Sequence, residues 1–113
     1  MQKIRSAAYG ENILDKYSVK LYARASRDLE AIYKYIANNL AEPLAAESII
    51  DSLEQAILNL EYFPNRGSVR QIGIYAHKNY RQVLVKNYII VYKILAESKE
   101  VHVITIRYAP SNF

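Results

Sequence analysis

Between residues 80 and 94 the chain reads YRQVLVKNYIIVYKI, with one arginine, two lysines and three tyrosines set among branched aliphatics. These side-chain types suit phosphate chemistry. Guanidinium and ammonium groups stabilise developing negative charge, and a phenol or imidazole can move a proton. Arg81 is the strongest polar candidate of the strip, and Arg107 and Tyr108 lie together on the last apolar stretch. These three are the candidate catalytic residues. The two histidines, His77 and His102, read as ordinary polar positions.

A structural reading competes for the same strip. If Lys86-Asn87 forms a two-residue turn, Val85 faces Tyr88, Val83 faces Ile90 and Arg81 faces Tyr92 on one side. Gln82/Val91 and Leu84/Ile89 then share the other side, and a register slip of one residue would exchange the two faces. In that register Tyr88, Ile90 and Tyr92 pack into a core, and Arg81 stacks on or bonds to Tyr92. Leu84, Ile89 and Val91 become an apolar patch on a face with nothing assigned to cover it, as partner sites do.

Composition narrows the chemistry. A chain of 113 residues supports one domain with a single core. With no cysteine there is neither a disulfide nor a thiolate metal site, and two histidines argue against a histidine-rich one. No metal and no cofactor are expected. No apolar run reaches the roughly 18 residues of a membrane span, and the first 16 residues lack the apolar centre of a secretory signal. A reducing cytoplasm and no membrane partner are the expectation. The charge is polarised. Residues 23–61 hold three basic side chains and seven acids, whereas residues 62–96 hold six basic side chains and no carboxylate. Arg66, Arg70, His77, Lys78 and Lys86 form the expected basic patch for a negatively charged target.

The elements that must position these residues follow from periodicity. Residues 1–16 read as a polar N-terminal arm and 17–113 as a single domain. Tyr17, Val19 and Leu21 alternate with polar residues, as in a half-buried strand. Ser26 is expected to cap a helix, with Asp28 and Glu30 in its first turn and an apolar stripe of Leu29, Ile32, Tyr33, Ile36 and Leu40. Pro43 suits the first position of a second helix, which carries Ala46, Ile49, Ile50, Leu53, Ala56, Ile57 and Leu60 on one face. Phe63-Pro64-Asn65-Arg66-Gly67 ends it, because Pro64 disfavours helix before it and Gly67 permits a turn. Residues 68–79 read as a loop or irregular strand, followed by the hairpin and a last strand over 101–108. The result is an α+β fold, β-α-α-β-β-β, with a helical hairpin packed on one face of a small, mainly antiparallel sheet.

Four stretches in this order, YSVKLYARASRDLEAIYKYIA, LEQAILNLEYFPNRG, YRQVLVKNYIIVYKI and VHVITIRYAP, resemble the RelE/ParE superfamily of toxins from type II toxin–antitoxin systems. The resemblance spans residues 17–113 and implies a small toxin neutralised by an antitoxin encoded beside it. Ribonuclease members cut messenger RNA on the ribosome, while ParE-type members poison DNA gyrase. The nucleases resembled here spread lysines and arginines over the hairpin and last strand. Arg81 keeps one such basic position, but Val83 and Ile89 stand where those nucleases carry charge. The expected function is therefore ParE-like: binding and blocking a protein target such as DNA gyrase. The alternative is a RelE-like, ribosome-dependent mRNA endoribonuclease, and the rival outside the family is a nucleic-acid-binding module. The expected assembly is a hetero-oligomer in which an acidic antitoxin segment covers Leu84, Ile89 and Val91 or the groove of the helical hairpin.

Overall fold

The computed structural model describes residues 16–76 and 78–110. The expected arm (1–16) falls outside them except for Lys16, as do His77 and residues 111–113. Five strands form one sheet in the order β1-β5-β4-β3-β2. They are β1 (Ser18–Leu21), β2 (Ser68–Val69), β3 (Arg81–Val85), β4 (Tyr88–Leu95) and β5 (Glu100–Tyr108). All neighbours are antiparallel except β1, which runs parallel to β5 with Ser18 opposite Glu100 and Leu21 opposite Val103.

Helices α1 (Ala23–Lys34) and α2 (Pro43–Asn59) form the expected hairpin, and α1 is prolonged by a π-helical turn over Tyr35–Asn39. Pro43 occupies the start of α2. It carries no N–H, so nothing is lost at a position with no intrahelical acceptor. The start of α1 differs from expectation. Tyr22, in an extended conformation, precedes the helix and accepts the Ser26 N–H at 3.1 Å, so Ser26 lies inside the first turn rather than capping it. No acid stands in that turn. Asp28 instead reaches β5, where one carboxylate oxygen accepts the Ile106 N–H at 3.0 Å and the Thr105 hydroxyl. β1 has already ended at this height, so the carboxylate takes a donor that the sheet edge leaves unpaired.

The core lies between the helices and one sheet face. Ala25, Leu53, Ala56, Ile57 and Leu60 meet Val83, Ile90, Tyr92, Val101, Val103 and Ile106. The β3–β4 register is the one that a Lys86-Asn87 turn requires, with Arg81 opposite Tyr92 and Val85 opposite Tyr88. Lys86 takes φ 56° to close the turn, a left-handed conformation that costs a residue with a Cβ. Between β4 and β5 the register shifts after Val91: Val91 pairs with Thr105 but Tyr92 with Val103. The extra residue, Ile104, restores the inward direction of Val101 and Val103.

Tyr92 joins the two layers. It is fully buried, donates its hydroxyl hydrogen to the Pro64 carbonyl at 2.6 Å and accepts the Gly67 N–H at 3.1 Å. Gly67 has ordinary extended backbone (φ −84°), so space and not conformation requires glycine here. A Cβ would fall on the Gln82 carbonyl oxygen and 2.8 Å from the Tyr92 hydroxyl. Gly67→Ala is expected to destabilise the fold by about 2 kcal/mol or more through overpacking. Tyr92→Phe leaves a buried carbonyl and N–H unpaired and is expected to cost roughly 1–3 kcal/mol. Urea unfolding of both variants checks this, and a change under about 0.5 kcal/mol in both would remove the assigned role.

Candidate functional site

The structure does not gather the three candidate catalytic residues. Arg81 turns its guanidinium on the Phe63–Gly67 turn, donating to the Asn65 carbonyl at 3.1 Å and to the Gly67 carbonyl. Its Nε is buried without a partner among the described residues. It therefore braces the same turn that its strand partner Tyr92 holds. Arg107 and Tyr108 are consecutive on β5 and so point to opposite faces. Tyr108 lies on the helix side, its ring 5.7 Å from that of Tyr88. Arg107 lies on the other side, where its Nε donates to the Thr105 hydroxyl at 3.1 Å.

The expected basic patch is dispersed. Arg70 is 4% exposed, bonded through Nη1 to Gln82 at 2.6 Å and through Nε to the Ile72 carbonyl at 3.1 Å. It holds the 70–80 segment to β3 and is no surface cation, which corrects the sequence reading. Arg66 follows α2 and borders a mixed groove with Asp51, Ser52, Asn59 and Leu84. Lys86 sits at the hairpin tip and Lys78 in the 70–80 segment, both exposed.

The apolar patch is also corrected in part. Leu84 is 66% exposed and Ile89 half-buried, but Val91 is fully buried. Val91 is the middle of a rung formed with Gln82 and Thr105, and Arg70 and Arg107 are hydrogen-bonded to the rung's two ends. Long side chains thus cover what a two-layer plan leaves open.

Further along this face lies a polar cluster that sequence reasoning passed over. Glu100 binds Lys20 at 2.9 Å and His102 Nε2 at 2.9 Å, while His102 Nδ1 lies 3.3 Å from the Tyr22 hydroxyl. The Lys20 bond, then the His102 bond, holds the Glu100 carboxyl below its usual value. The parallel pairing of β1 with β5 brings these residues together, and no local pattern announces it.

On the helix side, the hairpin and the tip of the sheet enclose an open cavity of about 670 Å³. Ile32, Ile36 and Ile49 supply an aliphatic lining, Tyr35, Tyr88 and Tyr108 an aromatic one, and Glu42 a carboxylate. Leu40 also lines it and is 50% exposed, and Leu44 at the start of α2 is 80% exposed. The sequence reading placed Tyr33 on the inward stripe. Tyr33 is instead 38% exposed, and Tyr35 borders the cavity. Among the described residues no cluster of His, Asp and Glu is arranged to hold a metal ion, and no helix is long and apolar enough to cross a membrane.

Comparison with known proteins adds a family. The model of the family described as the ParE toxin of type II toxin–antitoxin systems, parDE, matches residues 19–112. No curated protein matches the chain. Among solved structures, a chromosomal ParDE toxin–antitoxin system from P. aeruginosa superposes with a TM-score of 0.68 at 20% identity, over 83% of this chain and 97% of that one. The RelBE2 toxin–antitoxin complex from Mycobacterium tuberculosis gives 0.57 at 19% identity, over 82% and 91%. A free-state mutant of E. coli RelE gives 0.59 at 14% identity, over 84% and 85%. At such identities the likeness is one of fold.

The cavity has a pH signature. Burial raises the Tyr88 pKa, and the neighbouring phenols of Tyr108 and Tyr35 raise it further. A raised value means that the folded state holds the proton more tightly, so stability is lost as alkaline pH rises through the tyrosine range. Tyr88→Phe removes that loss. Its melting temperature is expected to fall less steeply than that of the unaltered protein above about pH 10, and parallel curves would contradict the assignment.

Proposed function

The chain belongs to the ParE toxin family of type II toxin–antitoxin systems, and on that premise we propose that it arrests growth by binding and blocking a protein target such as DNA gyrase. An antitoxin holds it in check. The observation that carries this reading is the dispersal of the candidate nuclease residues. A ribonuclease must bring a proton-transfer group and several cations to one scissile phosphate. Here Arg81 braces a turn, Tyr108 faces the helix-side cavity and Arg107 faces away from it. Val83, where a nuclease of this superfamily is expected to carry charge, is a core residue at 7% exposure. Nothing in that arrangement needs a reacting phosphate, and all of it is compatible with a rigid scaffold that presents surfaces.

Two surfaces suit an antitoxin. The exposed Leu84 with the half-buried Ile89 offers a small apolar strip on the sheet. The helix-side cavity with Leu40 and Leu44 offers a larger one. The cavity is the principal seat in this reading, since area removed from water drives such association. Several solved structures with this fold are toxin–antitoxin complexes.

One observation favours the ribonuclease alternative: the sheet face opposite the helices displays Lys93, His102 and Arg107. The two readings separate in growing bacteria. Controlled expression is expected to stop growth with a DNA-damage response and intact messages, and Arg107→Ala and Tyr108→Phe are expected to keep toxicity within about tenfold, because neither is a transition-state group. Cleaved messages, together with a loss beyond about a hundredfold on Arg107→Ala, would establish the ribonuclease instead. Absence of any growth arrest would overturn both.

A further inference from the structure

The helix-side cavity is lined in a way that specifies more than a generic apolar partner. Tyr35 comes from the end of α1, Tyr88 from the start of β4 and Tyr108 from the end of β5, so three elements converge to place phenols around an aliphatic floor. The Tyr88 and Tyr108 rings stand 60° apart in tilt. Among the described lining residues Glu42 alone carries a formal charge. It precedes α2 without using its side chain as a cap. On α1, Lys34 is paired with Glu30 at 3.3 Å, while Lys86 at the hairpin tip is exposed. The helical wall of the cavity, Ala31 to Ile49, comes from the acidic segment of the chain, where residues 23–61 hold seven acids and three basic side chains.

We propose that this cavity receives a lysine or arginine side chain presented by the antitoxin, its aliphatic stem on Ile32, Ile36 and Ile49 and its charged head between the tyrosine faces and the Glu42 carboxylate. The inference rests on the antitoxin reading above and names the anchor that such a partner brings. Aromatic faces attract cations through their quadrupoles, most strongly where water is partly excluded. Long cationic side chains bury their methylenes while keeping the head hydrated, which an open, half-apolar cavity allows. Glu42 is exposed, so the head keeps water on one side and the desolvation cost stays small. An acidic anchor would meet Glu42 as a like charge. The antitoxin therefore divides its charge: a cationic anchor on the helix side, and acids, where it has them, toward the basic sheet half.

The test is a double-mutant cycle. The chain is co-expressed with the protein encoded beside it, and the dissociation constant is measured by calorimetry at low salt. Toxin variants are Glu42→Gln and Tyr35→Leu, both at exposed positions, and each antitoxin lysine and arginine is changed singly to methionine. Each toxin variant is expected to bind about three- to tenfold more weakly with an unchanged melting temperature. One antitoxin substitution should match that loss, and combining it with Glu42→Gln should add nothing further. Affinity unchanged within about twofold, or losses that multiply for every antitoxin cation, overturns the inference and leaves the antitoxin reading standing. Failure of the two proteins to associate overturns both.

Discussion

One phenolic hydroxyl fixes how the helices sit on the sheet. Tyr92 is buried in the middle of β4, and its hydroxyl holds both ends of the Pro64–Gly67 turn that returns the chain from α2. The turn in turn delivers β2 to the edge of β3, where Ser68 pairs with Gln82 and Val69 with Arg81. A hydroxyl removed from water costs free energy unless it is bonded, so the tyrosine is tolerated there only in this arrangement. Arg81 reinforces the same turn from the neighbouring strand. The Phe-Pro-Asn-Arg-Gly turn, Arg81 and Tyr92 are distant in sequence but form one polar network, and their shared presence has a structural cause.

That cause determines what the two sheet faces are left to do. With Arg81 and Arg70 committed to backbone and amide oxygens, the polar residues of YRQVLVKNYIIVYKI chiefly hold segments together. Asp28 does comparable work at the opposite edge, closing β5 where β1 ends. The described surfaces that remain open are an apolar cavity rimmed by tyrosines on the helix side and a mixed strip of Leu84, Ile89 and scattered cations on the other. Such surfaces suit recognition of a partner through shape and charge, in keeping with the family's toxin–antitoxin assignment.

Much of this was legible in the sequence where a local rule decides. Pro43 and the apolar period placed α2, and a two-residue turn at Lys86-Asn87 imposed the hairpin register. Apart from Tyr33, the failures lie where a distant residue decides. Ser26 has cap chemistry, but the parallel pairing of β1 with β5 turns the chain into helix at Tyr22, three residues after Val19 pairs with Val101. Val91 reads as exposed on a two-layer plan and is buried, flanked by Gln82 and Thr105, which are hydrogen-bonded to Arg70 and Arg107. The bulge at Ile104 leaves no mark in a run of β-branched residues. The cavity was invisible because its three tyrosines come from three elements, and each taken alone looks like a core or surface aromatic.

The proposed function is that this chain acts by occupying a protein target and not by breaking phosphodiester bonds. The most direct measurement places the purified toxin, freed from its antitoxin, with DNA gyrase and supercoiled plasmid in one reaction and with translating ribosomes on a defined message in another. The account predicts gyrase-dependent inhibition or trapped DNA breaks in the first and an intact message in the second. Cleavage of the message with unaffected gyrase would contradict it.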